Sequence, residues 1–142
     1  MKTSCGVIIL NEFGEILLGH STGNKFHDIP KGGLEEGESF LDCAQRECVE
    51  ETGLVFHPDQ LDDLGLFPYN SVKQLYLFMV LVQKEQIKYV DLSCKTFFKD
   101  SLGRYHPEFD SYLWAPVRDL DVCCTANLAK VLNTALTKFC LS

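Results

Sequence analysis

Three glutamates, Glu47, Glu50 and Glu51, stand three and four residues apart within the stretch Gly32–Leu54. On a helix, residues at that spacing share one face. Three carboxylates on one patch repel one another, and a cation in the gap makes such crowding tolerable. Clustered hard oxygen donors suit Mg²⁺ or Mn²⁺. An ordinary surface helix with a solvated acidic face is the bland alternative, and the framing residues weigh against it. Gly32, Gly33 and Gly37 make a turn-rich entry, and Gly53 stands where a helix would stop. Ser39 is an N-cap candidate with Asp42 three residues on, a weaker capping box than one closed by glutamate. Leu41, Ala44 and Cys48 fall at i, i+3 and i+7, a stripe that can be buried, with the three glutamates mostly off it. Arg46, four residues before Glu50, can pair with it, and Glu38 in the entering loop can reach the same guanidinium.

The rest of the chain supplies the elements that must position these acids. Cys5–Leu10 and Glu15–Gly19 read as strands joined by a hairpin-type turn at Asn11–Gly14. Phe26–Ile29 is a short strand stopped by Pro30. A helix over about Ser39–Thr52 follows. Asp63–Phe67 and Gln74–Val82 read as strands, and the second is apolar on both faces, as a central covered strand is. Ile87–Val90 reads as another short strand, Ser93–Tyr105 as a loop carrying Lys95, Lys99 and Arg104, and Phe109–Trp114 as a late strand. Leu128, Val131, Leu132, Ala135, Leu136 and Phe139 make one face of an amphipathic C-terminal helix, a packing stripe. Strands and helices in this order fit a mixed sheet between helices, an α/β class.

Composition sets bounds. The 142 residues are 46% hydrophobic and 23% charged, which fits one globular domain over 1–142 with a sizeable core. The net charge of −7 argues against broad, non-specific nucleic-acid binding, so no DNA partner is expected. An anionic substrate must then be met by metal and local Lys or Arg. Seven cysteines, with no CxxC and no zinc spacing, read as reduced thiols of a cytoplasmic protein. No secretory segment is recognisable, and no apolar stretch approaches the roughly 20 residues of a membrane span, so no membrane partner is expected.

The segment Gly32–Leu54 resembles the Nudix box: Gly, five residues, Glu, seven residues, Arg-Glu, an aliphatic, any residue, Glu-Glu, any residue, Gly, an aliphatic. Gly32, Glu38, Arg46, Glu47, Glu50, Glu51 and Gly53 fill all the fixed positions. At roughly 7% usage per residue type, such a match arises by chance on the order of once in 10⁸ start positions. Cys48 stands where Ile, Leu or Val is usual, a mild departure because buried Cys behaves as a small hydrophobe. The resemblance covers about Cys5 to Leu120. It implies a Nudix-type α/β/α sandwich with the box as loop–helix–loop, and a hydrolase of a nucleoside diphosphate linked to some group X. It further implies one to three Mg²⁺ or Mn²⁺ ions held by Glu47, Glu50, Glu51 and the backbone carbonyl of Lys31. Glu47 is a candidate to orient the water. Gly32, Glu38, Arg46 and Gly53 are structural, with Glu38 and Arg46 locking loop to helix.

A second segment narrows the subgroup. Pro107-Glu108-Phe109, then Trp114, then Pro116-Val117-Arg118, resembles the bacterial RNA 5′-pyrophosphohydrolases and related dinucleoside polyphosphate hydrolases. There a glutamate from outside the box serves catalysis or metal binding, and Glu108 is the match. Phe26-His27-Asp28-Ile29-Pro30-Lys31 also resembles the approach to the box in these enzymes, although a Trp often stands near the place of Phe26. The expected substrate contacts are Lys31 on phosphate, Phe26 and Tyr69 at a base, and Arg104 on distal phosphates. His27 and His106 read as peripheral. The leading substrate is a dinucleoside polyphosphate such as diadenosine tetraphosphate. The alternatives are a triphosphorylated RNA 5′ end and ADP-ribose or a nucleotide sugar. In this family a proline beyond the box marks the ADP-ribose class and a tyrosine slightly further on the dinucleoside class; adjacent Pro68 and Tyr69 leave both open. A non-catalytic nucleotide sensor would usually have lost box carboxylates, and none is missing here. Monomer and homodimer are both compatible with the chain.

Overall fold

The computed structural model describes residues 1–141. In chain order its strands and helices are β1 (Lys2–Asn11), β2 (Glu15–Ser21), β3 (His27–Asp28), β4 (Lys31–Gly33), α1 (Phe40–Thr52), β5 (Asp62–Pro68), β6 (Lys73–Val82), β7 (Phe97–Lys99), β8 (Tyr105–Pro107), β9 (Phe109–Pro116), α2 (Leu120–Cys123) and α3 (Ala126–Leu141).

β1 and β6 run parallel in register from Lys2↔Lys73 to Asn11↔Val82 and form the middle of a mixed sheet ordered β3-β2-β1-β6-β5. β4 pairs with the first half of β1, and β9 pairs with β2. Side chains alternate across a strand, so each central strand feeds two cores. Ile8, Ile16, Leu18, Leu75, Leu77 and Met79 pack one face against Leu120, Leu128, Leu132 and Ala135 of α2 and α3. Cys5, Val7, Ile9, Leu17, Phe78 and Val80 pack the other against Cys43, Ala44 and Cys48 of α1. The layers are those of an α/β/α sandwich. β6 has β1 on one side and β5 on the other, the central position its two apolar faces require.

α1 begins where its caps dictate. Ser39 Oγ accepts from the Asp42 N–H at 3.0 Å, and Gly53 closes the helix in the left-handed region at φ 81°, its N–H donating to the Val49 carbonyl. Cys48 is buried among apolar side chains, and that burial pushes its thiol up to about 12, so it stays neutral. The β1–β2 turn is held by Asn11, whose Oδ1 accepts from the N–H groups of Phe13 and Glu15.

Two local expectations are corrected. Ile87–Val90 is not a strand; single 3₁₀ turns lie at Lys84–Gln86 and Tyr89–Asp91. The nearby Trp114 N–H of β9 donates to the Tyr89 hydroxyl at 3.1 Å, so a side chain takes the place of strand pairing. The segment Ser93–Tyr105 is not loop throughout, because β7 and β8 form a separate antiparallel hairpin. Among the described residues no helix is long and apolar enough to cross a membrane.

Candidate active site

One end of the sheet carries a polar cavity of about 450 Å³. Asp28, Lys31 and Gly32 come from β3 and β4, Glu47, Glu50 and Glu51 from α1, and Glu108 from the β8–β9 junction. Tertiary structure thus brings Glu108 to the box acids across the intervening chain. Its position is fixed by backbone bonds on both sides. The Glu108 N–H donates to the Thr96 carbonyl at 2.9 Å, and its carbonyl accepts from the Thr22 N–H at 3.2 Å. The β2–β9 register shifts between Gly19 and Ser21, next to this point. Such irregularities re-aim side chains beside functional sites.

β4 crosses α1 at close range. A Cβ on Gly32 would lie 2.1 Å from the Glu47 carboxyl carbon, so any side chain there must push the Glu47 carboxylate aside. That passage also buries Glu47 and Glu51, at 9% and 8% exposure, although helical spacing alone sets them mostly off the buried stripe. The Lys31 N–H donates to Glu51 Oε1 at 2.8 Å. In an extended strand the N–H and C=O of one residue face the same side. The Lys31 carbonyl therefore also turns from β1 toward the helix.

Burial pushes the Glu51 carboxyl up to about 8, against the bond from Lys31 and with the charges of Glu47 and Asp28 adding to the rise. Burial likewise raises Glu47, despite the hydrogen bond from Arg46. A buried acid that resists ionising lacks a counter-charge. Arg46 supplies only part of one. Its Nε and Nη2 fork onto Glu38 at 2.7 and 3.0 Å, and Nη2 also donates to the Gly33 carbonyl at 3.1 Å. Its Nη1 donates to Glu47 at 2.8 Å and Glu50 at 3.3 Å. The hydrogen bonds from Arg46 hold Glu38 down at about 2. Arg46 therefore joins loop to helix through Glu38 and spans the acids as well.

Among the described residues, no three His, Cys, Asp or Glu side chains already close on a single point as a preformed metal cage. The donor set nevertheless fits a hard divalent ion. Four glutamates line one cavity, a buried Asp28 Oδ1 on its wall has no hydrogen-bond partner, and Glu51 is short of positive charge.

The other expected contacts are more dispersed. Lys31 Nζ pairs with Asp28 Oδ2 at 2.9 Å; burial opposes its charge, but Asp28 lifts its pKa above the ordinary lysine value. Tyr69 lines a different cavity, of about 240 Å³, between β5 and α3, and its hydroxyl lies 3.3 Å from Thr125 Oγ1. Phe26 lies outside the acidic cavity's walls, under the Lys25 ammonium at 5.3 Å. Arg104 does not line the cavity either; its Nε is held by Asp100 at 3.0 Å in the turn of the β7–β8 hairpin. His27 and His106 stay off the walls too. Asp28, Thr96 and Phe97 line the cavity without having stood out in the sequence. For Asp28 the signal was its i, i+3 spacing from Lys31; for Thr96 and Phe97 there was none, because the hairpin was not legible.

This sandwich, with acids from a glycine-framed helix facing a glutamate at a strand junction, has the build of a hydrolase of phosphoanhydrides. A NUDIX domain profile matches residues 2–132, and the chain belongs to that family. It is a Nudix pyrophosphohydrolase. An uncharacterised 17.7 kDa protein from the e-segB intergenic region of Enterobacteria phage T4 is 36% identical over 143 residues, covering 94% of this chain and 95% of its own. The RNA pyrophosphohydrolase of Pseudoalteromonas atlantica is 28% identical over 131 residues, covering 84% of this chain and 74% of its own. The crystal structure of a Caenorhabditis elegans Ap4A hydrolase binary complex shares the fold at a TM-score of 0.66 and 17% identity, covering 98% of this chain and 99% of that one.

Proposed function

We propose that the protein, as a single domain, hydrolyses a pyrophosphate bond in a nucleoside diphosphate linked to X, with Mg²⁺ or Mn²⁺ at the acidic cavity. The preferred substrate is a dinucleoside polyphosphate such as diadenosine tetraphosphate. One observation carries the reading: Glu47, Glu50, Glu51 and Glu108 meet with Lys31 at a single cavity.

Glu47, Glu50, Glu51, Glu108 and the Lys31 carbonyl are the groups that would hold the metal. One to three divalent ions bound there would neutralise the pyrophosphate, align a water and stabilise the leaving phosphate. The protein's own part is positional. The Lys31 N–H fixes one oxygen of Glu51, and Tyr112 donates its hydroxyl proton to the Glu51 carbonyl at the helix end. Glu108, carried at the β8–β9 junction, takes the proton of the attacking water at its carboxylate; Glu47 is the alternative base. Lys31, with Asp28 beside it, meets a phosphate oxygen. Phe26, Tyr69 and Arg104 stand further out as substrate contacts. The seven free cysteines suit a reducing, cytoplasmic setting.

A second reading is removal of pyrophosphate from a triphosphorylated RNA 5′ end, favoured by the relative named RNA pyrophosphohydrolase. The test is a panel of diadenosine polyphosphates, ADP-ribose, nucleoside triphosphates and 5′-triphosphate RNA, assayed with Mg²⁺, with Mn²⁺ and with chelator. Glu51→Gln is expected to lose metal-dependent turnover. Full turnover by that variant on every substrate the wild type cleaves would remove the metal-site assignment.

A further inference from the structure

We propose that the exposed face of the β7–β8 hairpin, built from Phe97, Lys99 and Tyr105, is a stacking platform for a nucleobase of the substrate whose phosphates lie over the acids. The proposal rests on the hydrolase reading of that cavity and adds the part of the protein that would recognise the base.

The hairpin register pairs Phe97 with Pro107 and Lys99 with Tyr105. Side chains alternate between faces, so Phe97, Lys99, Tyr105 and Pro107 share one face and Phe98 and His106 the other. The second face is occupied: Phe98 and His106 are half-buried, with ring centroids 5.5 Å apart. The first is open, with Phe97 57% and Tyr105 69% exposed. Lys99 Nζ stands 5.3 Å from the centre of the Tyr105 ring. Two aromatic rings and a cation thus share an uncovered surface. Base–aromatic stacking and cation–π contacts use that combination on nucleotides.

Location separates this patch from scattered surface aromatics. Phe97 is itself a wall of the acidic cavity. A nucleotide with its phosphates over Glu47, Glu50, Glu51 and Glu108 carries its base one ribose away, within reach of such a wall. Diagonal neighbours in an antiparallel pair stand about 7–8 Å apart, within reach of aromatic side chains, so one planar base can touch both Phe97 and Tyr105.

The platform is also held still. A lone two-stranded hairpin is marginally stable. Here the Lys95 N–H donates to the Glu50 carbonyl at 2.6 Å and the Glu108 N–H to the Thr96 carbonyl at 2.9 Å, so the root is tied to both acid-bearing elements. At the tip, Asp100 accepts from the Leu102 and Arg104 N–H groups, both at 2.9 Å, and lies 2.8 Å from His106 Nε2. A hairpin tied at its root and braced within its own turn, with Phe97 on the cavity wall, loses little entropy when a base docks.

The test compares wild type with Phe97→Ala, Tyr105→Ala, Phe97→Trp and, on the same hairpin but in its turn, Leu102→Ala. Steady-state kinetics with Mg²⁺ are run on diadenosine tetraphosphate and on a 5′-triphosphate RNA oligonucleotide. Phe97→Ala and Tyr105→Ala are expected to raise KM about 10-fold while kcat stays within about 2-fold. Phe97→Trp restores KM, and Leu102→Ala changes nothing. The substrate with the larger KM rise identifies the source of the base. Inhibition by inorganic tripolyphosphate, which has no base, should be equal in wild type and Phe97→Ala. Unchanged KM in both alanine variants on every substrate the wild type cleaves overturns the platform, as does an equal change in tripolyphosphate inhibition. If the wild type cleaves neither substrate, the hydrolase reading fails separately, and calorimetric binding of diadenosine tetraphosphate decides the platform. A Kd raised about 10-fold by Phe97→Ala supports it, while equal affinities or no binding to wild type reject it.

Discussion

Replacing Gly32 with alanine should disable the site while leaving the fold nearly intact. The new Cβ would sit 2.1 to 2.3 Å from the three carboxylate atoms of Glu47, where ordinary contact begins near 3.4 Å. One partner must therefore retreat by about 1 Å. The strand cannot do so easily, because Gly32 pairs with Cys5 inside the sheet. Glu47 must yield, against its bond from Arg46 at 2.8 Å. A displacement of that size in a group at the reacting centre costs on the order of 10²-fold in rate. The clash falls on the end of a flexible side chain at the cavity wall, so Tm should change little. Gly33→Ala is the matched control, since nothing lies within 4 Å of its added Cβ. The assay is steady-state hydrolysis of the best panel substrate with Mg²⁺, paired with thermal melting. A kcat for Gly32→Ala within about 3-fold of wild type would refute the claim that this close passage sets the position of Glu47. Equal losses from both glycine variants would refute it too.

Glu108→Gln should lower kcat by at least ~10²-fold if its carboxylate is the base, and near-wild-type turnover would leave Glu47 in that role. Arg46→Lys keeps the charge but loses the fork onto Glu38, so chemical denaturation should report a loss of about 1–3 kcal/mol, together with reduced kcat because Glu47 is no longer held. The raised carboxyl of Glu51 has a pH consequence in metal-free protein. Its stabilising share is complete below the ordinary carboxylate pKa and is lost as pH rises through about 8, so denaturation midpoints in chelator should fall between about pH 4.5 and 8. Saturating Mg²⁺, or Glu51→Gln, should flatten that slope; an unchanged slope in Glu51→Gln would show that another group causes it.

Much was legible in the chain because it is local. Helical spacing put Glu47, Glu50 and Glu51 together, Ser39 and Gly53 marked the ends of α1, and the two-faced apolar pattern of β6 gave its central place. Residues a few positions apart are joined by backbone geometry, and that geometry is written in side-chain type. The partners of Arg46 were also foreseeable, since Glu38 and Glu50 lie within one loop and one helical turn of it.

Other features depend on chain segments far apart in sequence. The strand carrying Gly32 buries Glu47 and Glu51, so spacing alone could not give the raised carboxyl of Glu51. Three-residue strands such as β7 and β8 are too short for a periodicity to be read, and Phe97 reached the cavity wall unannounced. Composition pointed to Arg104 as a phosphate contact, and only the folded hairpin shows Asp100, four residues away, bonded to its guanidinium. The sequence by itself determined the acids, their helix and the reaction class, because those follow from spacing within one element. Only the tertiary structure decided which distant groups join them and how strongly burial changes their charge, because desolvation and cross-strand contact exist only once the layers have packed.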